Sequence, residues 1–176
     1  TNNKKIFDKI KKLKAFGIDK DVKDRKKQGD YDVKFLGYNY RMTDFQAALG
    51  INQILKYEKN LKQRHLIAKR YIKNYLNNKK INHMPYSKDC SFFIFQIFCK
   101  NRDKILKELK KINIGVSVHY SNALPLMTYY KNKYNLSRVK YKNSIEYGFK
   151  NISLPVYPKL KMREVDKICK TISNLV

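Results

Sequence analysis

Apolar residues recur along this chain at helical spacing in several stretches, and in one stretch they run almost without interruption; these patterns set the expected architecture. From Lys4 to Phe16, the side chains of Ile6, Phe7, Ile10, Leu13 and Phe16 fall on one helical face, and Gly17 follows where a left-handed C-cap is wanted. After a charged loop, Lys20 to Lys34, a long helix is predicted from Thr43 to about Leu76. Phe45, Leu49, Ile54, Leu61, Ala68, Ile72 and Tyr75 repeat at near-helical intervals there, with no proline between them. A helix of that length suits a bridge between two domains.

Ser91 to Phe98 is aromatic and β-branched, and its near-continuous apolarity predicts a strand buried on both faces. Asn101 then caps a helix carrying Ile105, Leu106, Leu109 and Ile112 on one side. Val116 to His119 is predicted as a second strand, Tyr141 to Phe149 as a short helix, and Ile152 to Leu154 as a third strand. Met162 to Leu175 closes the chain as a helix with Val165, Ile168, Cys169 and Ile172 inward. Lys161 stands where a Ser or Thr cap is common, which predicts a first turn that frays. No internal repeat is visible, and the pattern reads as an α/β layer.

The start of the long helix carries the candidate chemistry. Thr43 with Gln46 three residues later fits a capping box, and Met42 with Ala47 fits the accompanying hydrophobic staple. Just before it, Leu36-Gly37-Tyr38-Asn39-Tyr40-Arg41 gathers an amide, two phenols and a guanidinium beside a helix N-terminus, whose partial positive charge and free N–H groups suit phosphate or carboxylate. Gly-Tyr-Asn is also ordinary turn chemistry, so on residue chemistry alone both readings stand.

Length and charge narrow the partners. The 176 residues suffice for one domain or for a small domain plus a remnant of another, and the second is expected. No apolar run is long enough for a transmembrane helix, and Thr1 to Lys14 is amphipathic and charged rather than signal-like, so a cytoplasmic chain with no membrane partner is expected. The net charge of +26 invites nucleic acid, yet 33 lysines against 7 arginines, with 17 asparagines, are dispersed over every segment. That dispersion reads as solvated faces, Lys107 to Lys111 among them, rather than a reader's basic patch, and no specific nucleic-acid partner is expected. Cys90, Cys99 and Cys169, with His65, His83 and His119, follow no ligand spacing, so no metal site is expected and the thiols are read as buried and reduced.

Gly37, Asn39, Arg41, Met42, Asp44, Gln46, Ala47, Ala48 and Gly50 fit a G-x-N-x-R-M/L-x-E/D-x-Q-A-A-x-G pattern. Ile114-Gly115-Val116-Ser117-Val118-His119-Tyr120 fits a strand and turn ending in His-Tyr, and Ser153-Leu154-Pro155-Val156-Tyr157-Pro158-Lys159-Leu160 fits S-L-P-x-x-P-x-L. With the opening Thr1-Asn2-Asn3 and its helix, these segments resemble the DegT/DnrJ/StrS family of pyridoxal-phosphate-dependent nucleotide-sugar aminotransferases. The resemblance covers the whole chain but only the C-terminal part of the family. It implies an α/β fold: the C-terminal small domain plus part of the large domain of a fold-type I aminotransferase, joined by a long helix. Residues 1–35 would be the large-domain remnant, 36–78 the interface loop and connecting helix, and 79–176 the small domain.

The resemblance also implies roles. Pyridoxal 5'-phosphate would be held on a lysine just upstream of a Gly-Glu-Gly-Gly-like turn; no lysine here has that context, so that lysine and the residues gripping the cofactor ring are expected before Thr1. No catalytic residue is therefore expected in this chain, nor activity from it alone. Asn39 would reach across a homodimer interface to the cofactor phosphate in the partner's site, adding a donor without a charge to desolvate. Arg41 would contact substrate or cofactor phosphate, or tie the loop to the partner through an ion pair. Tyr38 and Tyr40 would line the sugar pocket or pack at the interface; His119 and Tyr120 would hydrogen-bond a sugar or nucleotide phosphate, against the competing reading of a surface histidine after a strand. A departure lies at Ser121 to Met127, where many members carry a Pro-Leu-His-like segment and this chain has no second histidine.

The implied reaction moves an amino group from a glutamate-type donor to a keto carbon of a nucleotide-linked deoxysugar, in amino-sugar synthesis for a cell-surface polysaccharide or glycan. Rival readings are a pyridoxamine-phosphate-dependent sugar dehydratase, a non-catalytic member of the same family and, from another class, a basic nucleic-acid-binding module.

Overall fold

The computed structural model describes residues 1–176, which form two compact units, Thr1–Leu55 and Lys56–Val176. In the first unit, helix α1 (Lys4–Leu13) begins where the Asn3 side chain accepts the Ile6 N–H at 3.2 Å. It stops at Leu13, short of the expected Phe16. The Lys12 carbonyl takes both the Ala15 and Gly17 N–H groups at 3.0 Å, and Phe16 (φ 63°) and Gly17 (φ 75°) both turn left-handed. The chain thereby reverses and pairs with itself, Ala15 with Asn39 and Ile18 with Val33 in isolated antiparallel bridges.

At that crossing two backbones touch. A Cβ on Gly17 would lie 1.9 Å from the Phe35 carbonyl oxygen, and one on Gly37 would lie 2.0 Å from the Gly17 nitrogen. Gly17 thus ties off a terminal carbonyl of α1 from a left-handed backbone as expected, and with Gly37 it also supplies the clearance that lets the two segments cross.

Helix α2 (Asp44–Tyr75) starts one residue after Thr43, and the predicted capping box is complete: Thr43 N–H donates to Gln46 Oε1 at 3.0 Å and Gln46 N–H to Thr43 Oγ1 at 3.2 Å. Its expected apolar face is covered only toward the C-terminal end. Ile67, Ala68, Tyr71 and Tyr75 are buried, whereas Phe45, Leu49 and Ile54 are at least half exposed. Periodicity fixes a face but not which turns of that face find a neighbour.

The second unit is built on an antiparallel sheet in the order β1 (Ile81–His83), β2 (Phe95–Cys99), β3 (Asn151–Leu154). The register pairs Ile81 with Cys99, and Phe95 and Ile97 with Leu154 and Ile152. β2 is buried on both faces as its sequence predicts, but it begins at Phe95 rather than Ser91, because Phe92 is left-handed (φ 44°) and Phe93 is turned out to solvent. Val116 to His119 is not a ladder strand: its pairing is one bridge, in which Ser117 and Ser153 exchange N–H···O bonds of 3.1 and 2.7 Å. β1 escapes a sequence reading because three residues carry no measurable period.

Helices α3 (Arg102–Lys111), α4 (Thr128–Tyr134), α5 (Lys142–Lys150) and α6 (Met162–Leu175) complete this unit. Asn101 sits at the head of α3 in a left-handed conformation, so its side chain makes no cap bond. At α6 the Glu164 carboxylate accepts the Lys161 N–H at 2.8 Å, which holds the turn that Lys161 was expected to leave fraying. The face of α6 is as predicted, with Val165, Ile168, Cys169 and Ile172 buried. They join Ile67, Tyr71, Phe95, Ile97, Ile105, Leu109 and Ile152 in one core, each large apolar side chain contributing about 1.5–3 kcal/mol over exposure. Burial pushes the Cys99 thiol up to about 11, which keeps it protonated and inert.

One polar clamp ties α2 to α6. Arg70 Nε and Nη2 each lie 2.7 Å from an oxygen of Asp166, and Asn74 Nδ2 donates to the same carboxylate at 2.9 Å. The Arg70 hydrogen bonds first, and that of Asn74 second, pull the Asp166 carboxyl down to about 2. A carboxyl lowered by folding stabilises the native state above its unfolded value and loses that contribution as pH falls through the folded one. Asp166→Asn should therefore lower the melting temperature by a few degrees at neutral pH, and the gap to the unsubstituted protein should close between the ordinary aspartate value of 3.8 and about 2; thermal melts across that range check both the sign and the window. Gly37→Ala should destabilise the first unit by about 3 kcal/mol or more, because backbone must move to admit the Cβ. Hydrogen exchange at Phe16, Tyr38 and Tyr40 should then lose its protection.

Candidate functional site

The loop before α2 is held by main-chain bonds to the end of α1. Tyr38 N–H donates to the Leu13 carbonyl at 2.7 Å, Phe16 N–H to the Tyr38 carbonyl at 3.0 Å, and Tyr40 N–H to the Lys14 carbonyl at 2.9 Å. Extended backbone places Tyr38 and Tyr40 on one side, where their rings stack at 5.2 Å with planes 9° apart. Asn39 lies between them, exposed, with its backbone in the bridge to Ala15. Its exposed amide makes no hydrogen bond within the chain. The Arg41 guanidinium lies 5.3 Å over the Phe16 ring and pairs with no carboxylate of the chain.

Beside Arg41 and Met42 lies an open hollow of about 640 Å³ in the same unit. Lys11, Lys12, Lys14 and Arg25 line it, but so do Asp8, Asp19, Asp21 and Asp24, so its charge is mixed. On the loop itself, Asn39 and Arg41 carry side-chain donors without a partner in the chain, and in the hollow the Arg25 Nε is likewise buried without one.

His119 and Tyr120 belong to the second compact unit and form a separate constellation. The chain around His119 is gripped by buried side chains. Its N–H donates to Asn151 Oδ1 at 3.0 Å, its carbonyl accepts from Gln96 Nε2 at 2.8 Å, and its Nδ1 lies 2.8 Å from Ser153 Oγ and 3.4 Å from Ser117 Oγ. Asn151 Nδ2 reaches the Tyr120, Tyr147 and Gly148 carbonyls at 3.4, 2.9 and 3.3 Å, and the Tyr147 hydroxyl donates to Gln96 Oε1. Nε2 is left as the free polar atom of the His119 ring. Tyr120 is 73% exposed, its ring edge-on to His119 at 5.2 Å.

The sequence singles out His119 and carries Ser153 only as part of a motif, and that Gln96, Asn151 and Ser153 hold the histidine is not read from it. A readable signal existed in Gln96, a polar residue inside the most apolar run of the chain. The other histidines are structural: His65 Nδ1 bonds the Tyr86 hydroxyl at 3.0 Å and its ring packs edge-on to Phe92, and His83 Nδ1 lies 2.9 Å from the Met84 carbonyl.

The sequence profile of the DegT/DnrJ/EryC1/StrS aminotransferase family matches residues 1–173. Over its whole length the chain is 33% identical to an uncharacterised protein of Methanocaldococcus jannaschii, of which it covers 48%. It is 30% identical to a UDP-4-amino-4,6-dideoxy-N-acetyl-beta-L-altrosamine transaminase of Campylobacter jejuni, of which it covers 46%. Among solved structures, it matches a Streptococcus pneumoniae protein assigned as a sugar aminotransferase in its pyridoxamine-phosphate form, with a TM-score of 0.86 at 27% identity over 99% of this chain and 46% of that one. The pyridoxal-phosphate form of the same protein gives a TM-score of 0.83. The chain thus spans about half the length of these relatives, and the expected partial α/β fold of a fold-type I sugar aminotransferase is what it adopts. The residues carrying the resemblance, from Asn3 through Asn39 to Ser153, fall within the matched span, and the chain belongs to the DegT/DnrJ/EryC1/StrS aminotransferase family.

Proposed function

We propose that this chain supplies a trans-acting phosphate clamp and part of the sugar wall of a homodimeric, pyridoxal-phosphate-dependent aminotransferase that acts on a nucleotide-linked keto-deoxysugar with a glutamate-type amino donor. The observation that carries this reading is the Asn39 amide, presented without an internal partner on a loop whose backbone is pinned at both neighbouring residues. A pinned loop loses little conformational freedom on binding, so its donors act at nearly full strength.

The donor set fits a cofactor phosphate. Asn39 offers neutral N–H groups and Arg41 a planar cation, and neither is committed to a carboxylate of the chain. When bound, pyridoxal phosphate supplies the electron sink for amino-group transfer. The chain's own residues bind and orient. Asn39 and Arg41 hold phosphate, the stacked pair Tyr38 and Tyr40 makes a flat wall suited to a sugar ring, and His119 Nε2 with the Tyr120 hydroxyl can bond sugar or nucleotide oxygens. No lysine here is followed by a glycine-rich turn, so covalent attachment of the cofactor is assigned to no residue of this chain, and the chain does not catalyse by itself.

On this reading residues 1–35 belong to a large cofactor-binding domain, 36–78 form the interface loop and connecting helix, and 79–176 are the small domain. The exposed apolar residues of the first unit support a covered position in a larger assembly. No side chain of α1 is buried, and Phe45, Leu49 and Ile54 stand open on the first turns of α2. The transaminase relative from Campylobacter jejuni supports amino-sugar synthesis as the setting.

In the protein that contains this chain, Asn39→Ala should weaken cofactor retention about ten- to a hundredfold, the size of a hydrogen bond to a charged group. Dialysis followed by cofactor absorbance measures the loss, and sedimentation should show the dimer intact. Unchanged cofactor affinity in that variant removes Asn39 from the clamp.

A further inference from the structure

We propose that Gln96, Asn151 and Ser153 are positioning residues that fix His119 in the tautomer carrying its proton on Nε2, so that it meets an oxygen of the nucleotide-sugar as a hydrogen-bond donor. This inference rests on the reading of His119 as a substrate-binding residue. It goes further in naming the residues that prepare the ring and the role the ring then plays.

The direction of every bond in the network follows from residue chemistry. Asn151 is fully buried, and one end of its amide faces the Tyr120, Tyr147 and Gly148 carbonyls. That end must be the NH₂, so the oxygen is the end that accepts from the His119 N–H. Gln96 gives its NH₂ to the His119 carbonyl, which leaves its oxygen for the Tyr147 hydroxyl. Two buried amides therefore use both main-chain groups of His119 and part of the next residue, and the ring is held from behind.

Ser153 decides the proton. The residue is 3% exposed, its backbone N–H and carbonyl are spent on Ser117, and His119 Nδ1 is the one partner of its hydroxyl, at 2.8 Å. A buried O–H with no acceptor costs more than a hydroxyl lone pair left idle. Ser153 therefore donates to Nδ1, which must be unprotonated to accept, and the neutral ring carries its proton on Nε2. Nε2 is also the ring atom without an internal partner, so the donor stands where a ligand can take it. A ring in the other tautomer would present a lone pair there and repel phosphate.

The test uses the complete, cofactor-loaded protein with ¹⁵N-labelled histidine. Magic-angle-spinning ¹⁵N spectra, with the His119 signals assigned by their loss in His119→Gln, should show protonated Nε2 and bare Nδ1. Ser153→Ala should admit the Nδ1-protonated form and weaken binding of UDP or UDP-N-acetylglucosamine about fivefold, as expected for one hydrogen bond. Ser153→Thr, which keeps the hydroxyl, should restore both. Weakening for both ligands assigns the acceptor to the nucleotide part; weakening for the sugar nucleotide alone assigns it to an oxygen of the sugar. A protonated Nδ1 in the unsubstituted protein, or an unaltered tautomer in Ser153→Ala, overturns the positioning role. Unchanged binding of both ligands in His119→Gln, with the Nε2-protonated ring observed beforehand, instead overturns the substrate-binding reading on which it rests.

Discussion

The larger unit is organised by the burial of β2 on both faces. With Phe95, Gln96, Ile97 and Cys99 buried and Phe98 half-buried, the polar groups of the strand must find their partners in the protein, and an unpaired amide there would cost about 1–3 kcal/mol. Main-chain groups are satisfied by β1 and β3, but Gln96 carries a side-chain amide into the same layer. Its partners are the His119 carbonyl and the Tyr147 hydroxyl, and Asn151 at the end of β3 meets the same turn. The placement of His119 is thus a consequence of core satisfaction: the groups that must be bonded are also the ones that fix a candidate ligand-facing ring.

The first unit solves a different problem with less burial. Its backbone reversal after α1 depends on Gly17 and Gly37 passing within a distance that no Cβ would permit. That contact brings residues 38 to 40 alongside the end of α1, where main-chain bonds hold Tyr38 and Tyr40 and leave the side chain of Asn39 uncommitted. The Asn39 amide, exposed on a backbone held at both neighbouring residues, is thus open to a partner from outside the chain. The same unit leaves its apolar helix face open, with Ile6, Phe7 and Ile10 each about half exposed.

Much of this was legible from residues. The capping box at Thr43 and Gln46, the inward face of α6 and the double burial of β2 follow from local chemistry and period, which require no knowledge of what lies across the fold. Readings failed where a tertiary contact overrode a local preference. Phe16 continues the apolar stripe of α1 but turns left-handed because the chain must reverse there, and Val118 and His119 carry strand-like residues but are drawn into a turn by Asn151 and Gln96.

The sequence by itself determined the family, the main helices and the identity of the loop residues, because motif spacing and hydrophobic period are properties of neighbours along the chain. Only the tertiary structure decided that Gly17 serves clearance as well as closing α1, that the Asn39 amide has no partner in the chain, and that Ser153 faces Nδ1 of His119. Those facts depend on groups separated by some twenty to thirty-four residues in sequence, and which donor meets which acceptor is fixed only when burial removes water as the alternative partner.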